Sequence, residues 1–148
     1  MRIVIQRVSR AEVRVSGTVV GRIARGFLLL VAIEVDDTEA DLDWFSDKVL
    51  HLRAFEDNAG KMNLSALETG AEMLVVSQFT LAADLSRGRR PGFERAAPPE
   101  QAESLYRGLV ERLSKSPLKI ETGRFREFME VELVNDGPVT FVLDRKGR

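Results

Sequence analysis

Gly26-Phe27-Leu28-Leu29-Leu30-Val31-Ala32-Ile33 is the stretch on which the fold turns. From 27 to 33 it is apolar without a break. A strand with one face in water alternates, so this run reads as a strand covered on both faces. Residues 72–79, Glu72-Met73-Leu74-Val75-Val76-Ser77-Gln78-Phe79, form a second buried strand rich in Met, Leu and Val.

Working outward, residues 2–8 and 11–15 read as strands, and 18–23 as the return of a hairpin about Ser16-Gly17. Asp37-Thr38 offers a helix N-cap, with Thr38 and Asp41 spaced as in a capping box. Leu42, Phe45, Val49 and Leu52 then recur at helical spacing until the turn-forming Glu56-Asp57-Asn58-Ala59-Gly60. A looser stretch containing Lys61-Met62-Asn63-Leu64 leads to the second buried strand. Residues 83–99 carry Gly88, Pro91, Gly92, Pro98 and Pro99 and are too broken for a regular element, and loops of that length are often functional. Pro99 suits a first helical turn, and Ala102, Leu105, Leu109 and Leu113 give that helix its apolar stripe. Residues 118–121, 128–134 and 139–143 read as three more strands. The expected architecture is one α/β layered domain over residues 1–148, with a mixed, barrel-like sheet of about seven strands and two main helices.

Composition narrows the function. The chain has 148 residues, enough for one domain with a proper core, and no apolar run near the roughly 20 residues that span a bilayer. The amino-terminal stretch lacks a signal-peptide pattern. There is no cysteine, so thiolate and disulfide chemistry are excluded and a cytoplasmic address is expected. His51 is the single histidine, so a site needing two imidazoles is excluded within one chain. It falls in the helical stretch and reads as a helix-surface residue. No metal and no cofactor are expected. A net charge of −1 argues against a general polyanion binder, yet the charge is uneven. Glu34, Asp36, Asp37, Glu39, Asp41, Asp43 and Asp47 form an acidic stretch. Arg87, Arg89, Arg90 and Arg95 cluster in the Gly/Pro-containing loop, opposed only by Glu94, and are candidates for phosphate contacts.

Two segments combine strand-forming residues with ligand-bonding groups: Ser77-Gln78-Phe79-Thr80-Leu81 and Asn135-Asp136-Gly137-Pro138-Val139-Thr140. In the first, an unactivated hydroxyl is a weak nucleophile without an adjacent base, so Ser77 and Thr80 read either as strand-end hydroxyls or as flanking backbone donors to a developing oxyanion. In the second, Gly137-Pro138 reads as a tight turn, and composition alone favours a trans bond.

With Ile5-Gln6-Arg7-Val8, Gly60-Lys61-Met62-Asn63-Leu64 and Thr122-Gly123-Arg124-Phe125, these segments resemble the D-aminoacyl-tRNA deacylases, which hydrolyse the ester joining a D-amino acid to tRNA. The matches run in family order over essentially the whole chain. The resemblance implies a homodimer with its active site at the interface and aminoacyl-tRNA bound by its acceptor 3′ end, away from any membrane. It implies a cis Gly137–Pro138 bond whose carbonyls refuse L side chains but not glycine, and Arg7 as a brace for that segment. Ser77, Gln78, Phe79 and Thr80 would line the ester and terminal ribose, and Phe125 and Met129 the terminal adenosine. Hydrolysis would use backbone groups and the substrate's own 2′-hydroxyl. Alternatives are a deacylase of the same fold that edits a mischarged L-amino acid, and a non-catalytic tRNA-end-binding module. A dimerisation domain without activity would leave the two motifs exposed and apart.

Overall fold

The structure, a computed structural model, describes residues 1–145. Its elements are β1 (Arg2–Val15), β2 (Thr18–Ile23), β3 (Gly26–Ala32), α1 (Glu39–His51), β4 (Phe55–Glu56), β5 (Met62–Leu64), α2 (Ala66–Thr69) and β6 (Glu72–Ser77). A short 3-10 turn (Phe79–Ala82), α3 (Pro99–Ser114), β7 (Ile120–Thr122) and β8 (Glu130–Asp144) follow. Six strands make one mixed sheet, in the order β2-β1-β3-β6-β7 with β8 on β1, while β4 and β5 pair separately. β3 pairs with β6 in parallel, Gly26 to Val31 opposite Glu72 to Ser77.

Both faces of β3 and β6 are covered, as their unbroken apolar runs predict. Phe27, Leu29 and Val31 of β3 and Met73 and Val75 of β6 face one core, completed by Leu42, Phe45 and Val49 of α1 and Leu109 and Leu113 of α3. Leu28, Leu74 and Val76 face a second core with Val8, Val13 and Ile23. The sheet curls until β2 approaches β7, where a Cβ on Gly21 would lie 2.6 Å from the Thr122 carbonyl oxygen. That contact makes the sheet nearly a closed barrel, with α1 and α3 packed side by side outside it.

β1 is one strand, although residues 2–8 and 11–15 read as two. Ser9 and Arg10 are exposed and the register against β8 slips there, which interrupts the apolar pattern without breaking the strand. Residues 128–134 and 139–143 likewise merge into β8. Gln6 faces Thr140 and Val8 faces Asn135, so two steps along β1 correspond to five along β8, and residues 136–139 bulge out. The second buried strand ends at Ser77, because the chain turns into the 3-10 turn.

The acidic stretch is spent on structure. Glu34 and Asp37 pair with the Met1 ammonium, Thr38 donates its N–H and hydroxyl to Asp41 at 2.9 Å each, and Asp43 pairs with Arg112 at 2.6 Å. α2 is a short helix within a stretch whose sequence reads as loose. Ser65 and Glu68 cap its start, and Gly70 ends it in the left-handed conformation.

Candidate functional site

The end of β6 opens one side of a cleft of about 640 Å³. Ser77, Gln78 and Phe79 line it, facing Phe125 and Met129 across the gap. Gln78 is pinned where the strand ends: its N–H donates to the Val31 carbonyl at 2.7 Å. Its side-chain amide donates to the Thr80 hydroxyl at 2.5 Å, and Thr80 itself is exposed beside the cleft. In the 3-10 turn that follows, the first closing bond runs from the Leu81 N–H to the Gln78 carbonyl at 3.2 Å. Phe79 and Thr80 precede that donor, so their N–H groups have no partner inside the turn.

Two residues that shape this region give no sign in the sequence: Phe93 lines the cleft, and Tyr106 supports its wall from behind. Phe93, from the broken loop, lies against Phe79 with ring centroids 5.1 Å apart. The loop is folded back by paired bonds between Asp84 and Gly92, at 2.8 and 2.9 Å, which is what brings Phe93 there. Tyr106 of α3 backs Phe125 with centroids 5.9 Å apart, and its hydroxyl donates to the Val75 carbonyl at 2.8 Å. Burial pushes the Tyr106 phenol well above its ordinary value. Met129 is seated by Gly123, where a Cβ would come within 2.6 Å of its sulfur.

The second segment sits elsewhere on the chain. Gly137 and Pro138 are exposed at the tip of the β8 bulge, and the bond between them is cis. Behind them Arg7 is only 5% exposed. Its Nε donates to the Asp136 carbonyl at 3.1 Å and its Nη1 to the Ala54 carbonyl at 2.8 Å, while the Asp136 carboxylate lies 3.4 Å from Nε. Asn135 spans the bulge, accepting from the Val139 N–H at 2.9 Å and donating to the Thr140 hydroxyl at 3.0 Å. Gly137 has φ +136, and a Cβ there would lie 2.7 Å from Val139 Cγ2. The bulge therefore presents backbone, held from behind by a guanidinium and an amide.

Within one chain, the cleft joins Ser77, Gln78 and Phe79 to Phe125 and Met129, and the bulge joins Arg7 to Gly137 and Pro138. Neither Arg7, Gly137 nor Pro138 lines the cleft. His51 stands on the last turn of α1, exposed, within 3.0 Å of the Asp47 carboxylate, far from either motif in role. Of the clustered arginines, Arg95 is occupied by Glu34 at 3.3 Å, which leaves Arg87, Arg89 and Arg90 on the loop tip.

Residues 4–144 match the family model described as D-Tyr-tRNA(Tyr) deacylase. A D-aminoacyl-tRNA deacylase of Symbiobacterium thermophilum is 58% identical over 144 residues, covering 97% of this chain and 95% of that protein. One of Thermotoga petrophila is 56% identical over 144 residues, covering 97% of each. Among solved structures, the c-Myc DNA Unwinding Element Binding Protein superposes with a TM-score of 0.94 at 40% identity, covering 99% of this chain and all of that one.

Proposed function

The chain belongs to the D-Tyr-tRNA(Tyr) deacylase family, and from that premise we propose that it hydrolyses the ester bond of D-aminoacyl-tRNA. The observation that carries the reading is the cleft itself. A polar strand end, Ser77-Gln78, meets an aromatic and thioether wall, Phe125 and Met129, in a space of about 640 Å³. That combination suits an ester attached to a nucleoside: base on the wall, carbonyl at the strand end. Stacking of a base on an aromatic side chain contributes roughly 1–3 kcal/mol.

The chemistry asks little of side chains. Water adds to the ester carbonyl carbon, the bond to the ribose oxygen breaks, that oxygen takes a proton, and free D-amino acid and tRNA leave. An aminoacyl ester is already reactive, so positioning and charge stabilisation at the carbonyl oxygen suffice. The N–H groups of Phe79 and Thr80 are the donors we assign to that oxygen, with Gln78 orienting the ester. The ribose 2′-hydroxyl of the substrate assists the attack. Thr80 offers no activated nucleophile, because its hydroxyl accepts from the Gln78 amide and bonds no base among the described residues.

Chirality is assigned to Gly137 and Pro138, working on the cleft of a second protomer in a homodimer. Both groups are exposed on a braced bulge that lies outside their own protomer's cleft, as a part lent to a partner must be. Their carbonyls occupy the space an L side chain needs and leave a D side chain free. Rejection of this kind tolerates many D-amino acids and admits glycine, so mischarged glycyl-tRNA is also a substrate. The activity amounts to proofreading of aminoacyl-tRNA in the cytoplasm.

Matched D- and L-tyrosyl-tRNA, incubated with the protein while free tyrosine is followed, test the reading. Release from the D ester alone is expected. Release from the L ester alone would move the chain to editing of L-amino acids, and binding without release would make it an end-binding module.

A further inference from the structure

Arg126 and Phe128 line the same cleft as Phe125 and Met129, and the ester chemistry leaves both unused. Phe128 is 88% exposed, more than any other large apolar side chain among the described residues. Arg126 has φ +64. It stands at the tip of a turn closed by the Glu127 N–H donating to the Arg124 carbonyl at 3.3 Å. Glycine takes that conformation without steric cost and arginine does not. Among the described residues the other non-glycine case is Ser16, which reverses the chain between β1 and β2. At Arg126 the backbone accepts strain to carry a long cation to the rim of the cleft, a pattern that marks functional positions. Arg124 beside it is paired with Glu127 at 3.9 Å, whereas Arg126 has no ion pair among the described residues.

We propose that Arg126 and Phe128 form a second nucleotide subsite, which holds the nucleotide preceding the terminal adenosine of the aminoacyl-tRNA. The Phe128 ring stacks on that base, and the Arg126 guanidinium contacts the phosphate joining it to the adenosine. The assignment rests on the hydrolase reading above. With the terminal base against Phe125 and Met129, the single strand must leave the cleft, and the same short turn carries both a free aromatic face and an uncommitted positive charge. A neighbouring cleft of about 520 Å³ on the other side of Phe125 is large enough for a nucleotide but carries the wrong charge. Its Arg107 and Arg124 are matched by Glu103 and Glu127, and Glu111 leaves an excess of negative charge against a phosphodiester.

The test compares D-tyrosyl esters of adenosine, of a dinucleotide ending in adenosine, and of whole tRNA, on the wild type, Arg126→Gly and Phe128→Ser. Arg126→Gly relieves the positive φ, so its folding is not at risk. For the wild type, the second nucleotide is expected to raise kcat/KM about tenfold, equivalent to about 1.4 kcal/mol. Each variant should lose most of that gain and hydrolyse the adenosine ester within twofold of the wild type. Arg126→Gly should also flatten the salt dependence on the dinucleotide by about 0.7 in log–log slope, the share of one phosphate on a single strand. Equal losses on the adenosine ester and the dinucleotide, or no loss on either, would overturn the subsite. So would a loss that tracks a change of sedimentation state, because Phe128 would then be a contact between copies of the chain. A wild type inert on every D ester would instead overturn the hydrolase reading, and the subsite with it.

Discussion

The cleft at the end of β6 and the bulge in β8 are built on opposite plans. The cleft presents side chains: Phe79 against Phe93, Phe125 against Tyr106, and Met129 over Gly123. The bulge presents backbone, and its side chains point their bonding groups inward, Arg7 to two carbonyls and Asn135 across the turn. Apolar surfaces grip any flat ring that fits, with energy roughly proportional to the area covered. A fixed backbone grips little but refuses whatever overlaps it, and refusal is sharp because a held backbone has nowhere to go. On the function proposed above, affinity belongs to the cleft and selectivity to the bulge.

The largest effect is expected from removing the brace. Arg7→Ala leaves the Asp136 and Ala54 carbonyls without their charged donor and should cost about 3 kcal/mol in urea unfolding. It should also lower the preference for D over L esters at least tenfold. Arg7→Lys keeps the charge but lacks the fork that reaches both carbonyls, so it should recover less than half of either loss. A variant that loses stability while keeping its preference would separate the brace from the filter and break the contrast.

On the cleft side, Phe79→Ala should lower kcat/KM for the D ester about tenfold through weaker binding, with the D-to-L preference unchanged. Phe79 is 55% exposed, so stability should move by less than about 0.5 kcal/mol. A changed preference would mean that the grip and the filter are not separable.

Tyr106→Phe tests the support behind the wall. Losing the bond to Val75 should cost about 1 kcal/mol at neutral pH. Tyr106 is the single tyrosine of the chain. Its folded-state value is raised, so its contribution is complete below the ordinary tyrosine value of about 10 and is lost as pH rises beyond it, because the unfolded chain ionises first. Wild-type stability should therefore fall above about pH 10 relative to Tyr106→Phe, and parallel curves would contradict the burial. The smallest effect belongs to Thr80→Val, which should keep D-ester hydrolysis within about threefold if backbone groups carry the chemistry. A loss of several orders of magnitude with binding retained would make the hydroxyl a nucleophile.

Much of this was legible in the sequence where a local pattern reports a local constraint. The unbroken apolar run from Phe27 to Ile33 can only be satisfied by cover on both faces. Thr38 and Asp41 announce the start of α1 because a cap is made within one turn. What depends on distant partners was not legible. Ser9 and Arg10 look like a break in β1, since nothing in the chain says that β8 continues past them in shifted register. Asn135 to Pro138 look like a turn between two strands, whereas the strand runs through and residues 136–139 bulge. Phe93 and Tyr106 read as a loop residue and a helix residue. They join the site only because the loop folds back between Asp84 and Gly92 and because α3 lies over β6 and the turn after β7. Arg95 reads as available for phosphate, but Glu34, sixty-one residues away in sequence, pairs with it.

Gly137→Ala is the sharpest test of whether this backbone sets chirality. The new Cβ would come within 2.7 Å of Val139 Cγ2 at a backbone conformation that alanine resists, so the tip of the bulge must move while the cleft stays intact. The measurement is the ratio of D- to L-tyrosyl-tRNA hydrolysis for the wild type and this variant, side by side. A wild-type ratio near ten-thousandfold corresponds to about 5.5 kcal/mol. The expected result is a large wild-type ratio that falls at least tenfold in the variant, with hydrolysis of the D ester retained. An unchanged ratio, with the D ester still hydrolysed, would contradict the assignment of chirality to this backbone.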